Sequence, residues 1–464
     1  MTERSRRAQL IANELEELAH RVSRFPATLA RTVDDVEVWL LRASHWGYEL
    51  MGRRTRPSLS LSRDRIAFRV LKDGLVGYAS CTRVDETLWR SSVDRALSAT
   101  LPGGPRTFPV PRTRKPGPLT FDPDLADALA APRELARIAD ALTDNLWHES
   151  ERVDRLRTFE GRLGYDLRRF VVGNKGGVAA SLHGDLSAEV RLDRSHGDAY
   201  HVVHAPDSFQ PLALLGARTL RNMPVESAAP RDLKLAGRVP VVLHPRAFEA
   251  ILRRLVVPLF TQTARRDGLM PFRDGERVAH DSLTLVDDAG MDGLASSRHF
   301  DDEGMPTRRN ALIVRGRVAM VLEGRHAETG QGGTASLYRR PLGLEDPQDA
   351  PLREAGASVL VERGDQGFHE MIAVEEKAIL VHDLLGLHGA DGPRTRFACG
   401  IGSGITLERG RESRRLAPGE WQVSGSVLSL PGGPAGFLSD IVLSRELYDT
   451  GTAILPYCLT HLEV

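Results

Sequence analysis

The 464-residue chain is 41% hydrophobic and 27% charged, which excludes a disordered polymer and leaves room for two or three domains with sizeable cores. Its 62 basic and 62 acidic residues cancel, so no global field draws it to nucleic acid or anionic lipid. Cys81, Cys399 and Cys458 stand far apart without CxxC spacing, which argues against a disulfide framework or structural zinc module and fits a reducing cytoplasm.

The opening MTERSRRAQLIANELEELAHRVSRF predicts an amphipathic helix with Leu10, Ile11, Leu15, Leu18 and Val22 on one face. Its distributed charge is unlike a signal peptide, and no later run is apolar enough to span a bilayer. VEVWLLRA and SLSLSRDRIAFRVLKDGLVGYASCT alternate as strands do and predict a hairpin at Lys72-Asp73-Gly74. The helix VDETLWRSSVDRALSATL follows. Residues 102–118, PGGPRTFPVPRTRKPGP, can sustain neither a helix nor a central strand and predict a domain linker.

Beyond it, PRELARIADALTDNLWHE predicts a helix, RLRTFEGRLGYDLRRFVVGNKGGVAASLHGDLSAEVRLD successive strands, and FQPLALLGARTLRNM a further helix. From VPVVLH at residue 239 onward, short strands and glycine turns dominate. GQGG at 330–333 and GIGSG at 400–404 are expected in hairpin turns. Two helices interrupt this pattern, AFEAILRRLVVPLF at 247–260 and a weaker one near Ser439 to Glu446. The predicted fold class is α+β: an N-terminal α/β domain (1–101), a linker (102–118), a middle α+β domain (119–232) and a large β-rich C-terminal domain with mainly antiparallel strands (233–464).

Motifs for chemistry are scarce. A zinc peptidase needs paired imidazoles to hold the metal and a carboxylate to activate its water, and neither HExxH nor HExxxH occurs. His148-Glu149 and His369-Glu370 lack a second histidine and read as surface pairs. GxSxG is also missing from any strand-to-helix setting. The densest cluster is SSRHFDDEGMPTRRNALIVRGRVAMVLEGRHAETG. There His299, Asp301, Asp302 and Glu303 precede a hairpin expected at Arg315-Gly316, whose return would carry Arg325 and His326 back toward Pro306. These groups suit either a cation or acid-base site, or a solvated acidic turn closed by Arg308 and Arg309; the second reading is preferred.

The stretch LTLVDDAGMDGLASSRHFDDEGMPTRRNALIVRGRVAMVLEGRHAE at 283–328 resembles the TldD/PmbA family. RVLKDGLVGYAS at 69–80, VVGNKGG at 171–177 and LVHDLLGLHGADGPRTRFACGIGSGITLERGRE at 380–412 support the resemblance in order and spacing. It implies a two-subunit peptidase in which the TldD-type subunit carries zinc on HExxxH and the TldE (PmbA)-type subunit does not. Counted from Val241-Val242-Leu243, the zinc-helix positions are Arg253, Arg254 and Pro258. A guanidinium offers no lone pair and proline no side-chain donor. The family's third ligand is a cysteine that DIVLSRELYDTGTAILP lacks, and Cys458 reads as a core thiol.

The expectation is a non-catalytic PmbA/TldE-like subunit with no metal or cofactor of its own. Its expected partners are a TldD-like zinc-bearing subunit and an unfolded peptide, without direct nucleic-acid or membrane contact. The alternative is a stand-alone homologue recruited to peptide or natural-product processing, with a site around His299, Asp301, Glu303 and His326.

Overall fold

The structure is a computed structural model that describes residues 3–51, 54–102, 107–112, positions between 136 and 148, 156–194, 197–205, 235–324, 333–339, 346–387, 395–416, 418–429 and 435–464. Helix α1 (Glu3–Arg24) buries Ile11, Leu18 and Val22, but Leu10 of the expected face is exposed. Alternating sequence then builds β1 (Asp35–Met51), β2 (Arg54–Lys72) and β3 (Leu75–Cys81). Asp73 (φ 53°) and Gly74 (φ 75°) supply the left-handed pair that a two-residue hairpin requires. Helix α2 (Glu86–Ser98) is capped by Asp85, whose side chain accepts from the Thr87 and Leu88 amides.

Strands β4 (Leu101–Pro102), β5 (Leu156–Asn174), β6 (Gly177–Arg194) and β7 (Gly197–Ala205) complete a seven-stranded antiparallel sheet of order β4-β3-β2-β1-β5-β6-β7. Because β1 pairs with β5 from Val38–Gly173 to Met51–Glu160, the boundary expected at 102–118 falls within one continuous sheet. Phe25, Phe68 and Trp89 meet in the core between this sheet and its helices.

The second body starts with β8 (Arg238–Leu243), α3 (Pro245–Ile251) and α4 (Gln262–Arg266). It continues through β9 (Leu285–Asp288), β10 (Arg309–Val314), β11 (Arg317–Val318), β12 (Leu337–Arg339), β13 (Leu352–Glu354), β14 (Val359–Val361) and α5 (Phe368–Ala373). The remaining strands are β15 (Lys377–Leu385), β16 (Arg396–Glu408), β17 (Arg411–Leu416), β18 (Gln422–Ser426), β19 (Val442–Asp449) and β20 (Ala453–Glu463). β8, β15, β16, β18 and β20 pair in a closed circuit, since β20 returns to β8. Helix α3 packs its apolar side onto the core of this body. The fold is α+β, with helices set against extensive, mostly antiparallel sheets.

Arg315 (φ 47°) and Gly316 (φ 72°) make the expected turn between β10 and β11. Two other expectations are corrected. Ser439 to Glu446 is not a helix: a 3-10 turn at Phe437–Ser439 leads into β19, whose pairing with β20 overrides the local propensity. GIGSG lies inside β16, where a Cβ at Gly404 would come within 3.0 Å of the Leu380 carbonyl, so close backbone approach rather than turning explains the glycine. The helix FQPLALLGARTLRNM and most of GQGG lie outside the described residues.

Candidate functional site

The helix at the zinc-helix positions begins at His244, whose ring accepts from the Arg246 amide, with Pro245 in the first turn where no N–H is needed. After Ile251 it widens into a π segment over Leu252–Val256 and tightens to 3-10 over Val257–Leu259. The irregular end accommodates Pro258, which cannot donate to a regular α ladder. Phe248, Ile251, Leu252 and Leu255 are fully buried.

The two arginines diverge. Arg254 is exposed, whereas Arg253 turns inward. Its Nε donates to Glu249 Oε1 at 2.6 Å, both Nη atoms donate to the Ala357 carbonyl at 3.0 Å, and Nη2 donates to the Thr452 carbonyl at 2.5 Å. Thr452 Oγ1 in turn donates to Glu249 Oε1 at 2.5 Å. One guanidinium therefore clamps α3 to two otherwise separate segments. These residues do not fit zinc: the cation repels it, and Glu249 is already shared between Arg253 and Thr452. Among the described residues no three His, Cys, Asp or Glu side chains gather as a metal site. Cys458 is fully buried in β20 opposite Leu243, and burial pushes its thiol upward.

The acidic turn is not the solvated feature expected from its composition. Asp301, Asp302 and Glu303 are all buried, and neither Arg308 nor Arg309 closes the turn. Arg308 is exposed with Nη1 3.4 Å from the Gly333 carbonyl, and Arg309 lies 3.8 Å from Glu362. Asp301 Oδ1 accepts the Glu303 and Met305 amides, each at 3.0 Å, while Oδ2 lies 3.3 Å from the Leu337 amide. Asp302 accepts the Arg339 amide at 2.6 Å and pairs with Arg298 at 3.0 Å. Glu303 reaches Arg69 Nη2 at 2.7 Å, and Arg69 forks onto Glu37 at 2.9 and 2.6 Å. The turn thus plugs into β1 and β2. Burial pushes the carboxyls of Glu37 and Asp301 upward, with neighbouring Glu303 adding to both. Burial also opposes the charge on Arg69, but its two carboxylates outweigh it and keep the guanidinium protonated.

Residues of the expected linker complete this junction. Phe108 is buried beneath Arg69, whose guanidinium carbon lies 4.9 Å from the ring centre. Arg112 N donates to the Gly304 carbonyl at 2.9 Å, and Asn174 Nδ2 donates to the Pro109 carbonyl at 2.5 Å. Gly304 sits at φ 76° with Pro111 against it, so a Cβ there would fall 2.6 Å from Pro111 Cβ.

Between the β1–β5–β6 face and the second body lies a cavity of about 300 Å³. Trp39, Phe170 and Tyr338 supply aromatic walls, and Arg168, Arg298 and Arg339 supply charge. Arg298 lies 5.5 Å from the Phe170 ring centre and 5.4 Å from that of Tyr338. Ala357, whose carbonyl Arg253 grips, also lines the cavity. Of the expected cluster, only His299 and Asp302 reach this space; Asp301 and Glu303 face structural partners, and His326 lies outside the described residues. Arg168, Phe170 and Trp39 carried no sequence signal, because the strands that unite them are over a hundred residues apart. The SSRH run at 296–299 was the available clue.

The family model for the PmbA/TldA metallopeptidase C-terminal domain matches residues 236–459, the segment that holds the Arg253 clamp, the acidic turn and the closed strand circuit. TldE from Thermococcus kodakarensis has the same fold across 96% of this chain and 99% of its own, with TM-score 0.75 at 17% identity. The chain belongs to the TldD/PmbA family. A putative modulator of a DNA gyrase from Thermotoga maritima likewise superposes over 97% of this chain and 99% of its own, with TM-score 0.73 and 16% identity. In sequence, an uncharacterized protein of Methanocaldococcus jannaschii is 23% identical over 59% of this chain, and a metalloprotease of the same organism is 25% identical over 33%. These matches span 64% and 31% of the lengths of those two proteins. The family is metallopeptidase-related, and among the described residues no helix is long and apolar enough to cross a membrane.

Proposed function

We propose that this chain is a non-catalytic, TldE-like subunit that pairs with a zinc-bearing TldD-like chain in a cytoplasmic peptidase acting on unfolded peptides. The observation that carries the reading is the Arg253 clamp. At the helix position where the family resemblance puts zinc ligands, this chain has a guanidinium already bonded to Glu249, Ala357 and Thr452. A metal-bridged helix needs lone pairs from several segments; here Arg253 joins the helix to the Ala357 and Thr452 segments through donated N–H groups.

The competing site around the acidic turn receives less support, since Asp301 and Glu303 spend their oxygens on backbone amides and on Arg69. A subunit of this kind would contribute walls and strand edges to a shared chamber, holding an extended peptide by main-chain hydrogen bonds.

The test is affinity purification of the chain with a zinc-bearing family member from its own organism, followed by metal analysis of each partner. The expected result is a stable complex whose zinc remains with the partner when the two are separated. Stoichiometric zinc retained by this chain alone would overturn the assignment.

A further inference from the structure

We propose that the cavity between the two bodies receives a carboxylate carried on an apolar or aromatic group, the chemistry of a peptide's free C-terminus or of a free acid one residue in size. The assignment needs nothing from the peptidase reading; it rests on the composition of the cavity.

Charge is the first argument. Arg168, Arg298 and Arg339 line the space, where Asp302 is the one lining carboxylate; Asp166, 3.6 Å from Arg168, and Glu37, near Arg339, offset part of this charge from behind the wall and leave Arg298 the cation most open to a ligand. Both Asp302 oxygens are engaged, one by the Arg298 side chain and one by the Arg339 amide. Arg298 gives Asp302 its Nη1 and keeps a half-exposed fork, 42% accessible, at the cavity. A planar guanidinium so placed matches a carboxylate by paired hydrogen bonds. Arg339 is only 8% exposed; its Nη1 donates to the Ala350 carbonyl at 3.0 Å, but its Nε has no hydrogen-bond partner among the described residues. A buried cation left short of acceptors favours an anion nearby. The half-buried His183 does not compensate: desolvation, together with Arg168 and Arg298, holds it well below its usual range.

Shape is the second argument. Trp39 meets Phe170 edge to face at 5.5 Å, which gives one wall two adjoining rings, and the buried Phe300 backs Phe170 at 5.1 Å. The volume of about 300 Å³ is at the small end of ligand pockets and some twice that of a cavity that holds benzene. One or two residues fit; a nucleotide or a folded partner does not.

Isothermal titration of the full chain with N-acetylphenylalanine, its uncharged amide and the tripeptide Ala-Ala-Phe tests the proposal. The free acid should bind saturably, and the amide at least about tenfold more weakly, as expected for one lost charge-assisted interaction. Arg298→Gln should weaken the acid by a similar factor and leave the amide unchanged. The acid-amide contrast uses the unaltered chain, so a misfolded variant would not obscure it. Equal binding by tripeptide and short acid would identify a peptide C-terminus as the source, whereas binding of the short acid alone would identify a free acid. The proposal is overturned if the amide binds as well as the acid, if inorganic phosphate displaces the acid at equal concentration, or if no saturable binding appears by about 10 mM.

Discussion

The acidic turn at Asp301–Gly304 and the Arg253 clamp perform one mechanical task with opposite chemistry. The turn uses carboxylates to gather amides and a guanidinium, locking the C-terminal body onto β1 and β2. The clamp uses a guanidinium to gather carbonyls, locking α3 onto the segments around Ala357 and Thr452. The first therefore joins two sheets, while the second closes the interior of one body. Charged residues concentrated in a motif are, in both places, consumed by architecture before they can serve as acids, bases or ligands. A buried charge held by several hydrogen bonds is expensive to orphan, which is why the pairs respond so strongly to removal of one member.

The largest effect is expected where both partners of a cation are carboxylates. Arg69→Met leaves Glu37 and Glu303 facing each other without a counter-charge and should cost about 3–5 kcal/mol in urea unfolding at neutral pH. The loss should shrink under mild acid, as the orphaned carboxyls take up protons. A cost equal at both pH values would break the account of the turn.

Arg253→Leu should cost about 2–4 kcal/mol, because the carbonyls of Ala357 and Thr452 lose donors and Glu249 keeps only Thr452. Arg254→Leu, one residue further along and exposed, should fall within about 0.5 kcal/mol of the parent. Thermal melts of the pair measure the clamp directly; equal effects would contradict it. Gly304→Ala should cost about 1–3 kcal/mol, since it forces a side chain against Pro111 at a positive φ.

The smallest effect concerns pH. Burial raises the Asp301 carboxyl well above the ordinary carboxylate range, so at a pH between the unfolded and folded values the folded chain holds a proton that the unfolded chain has released. Its stabilising contribution is complete below the unfolded value and is lost as pH rises through the folded one. Asp301→Asn should therefore flatten the decline in stability toward neutral pH. It retains the Oδ1 acceptor for Glu303 and Met305 and costs about 1 kcal/mol at Leu337. An unchanged slope would show that Asp301 does not titrate between the two states.

Much of this was legible from local pattern. The turns at Asp73-Gly74 and Arg315-Gly316 follow from positive-φ chemistry and the long strands from their alternating sequence, although β1 and β2 each bury six consecutive residues where both faces are covered. Pattern could not show that β1 pairs with β5 across a proline-rich stretch, or that Phe108 and Pro111 wedge into the junction, because both depend on contacts distant in sequence. Local propensity failed near Ser439 to Glu446, where partner strand β20 decides the conformation. At the site, composition identified Arg253, Arg254 and the acidic run as unusual. It could not tell which arginine turns inward, nor that Asp301, Asp302 and Glu303 are buried, since their burial depends on the Arg69 side chain and the Leu337 and Arg339 amides arriving from elsewhere. The cavity was the least legible feature, assembled as it is from β1, β5, β6, β12 and loops of the second body.

The most direct measurement is peptide hydrolysis by this chain alone, by a zinc-bearing family partner alone, and by the two mixed, using an unfolded polypeptide substrate with and without a zinc chelator. The expected result is no cleavage by this chain alone, and chelator-sensitive cleavage by the mixture above that of the partner. Zinc-dependent cleavage by this chain in isolation would contradict it.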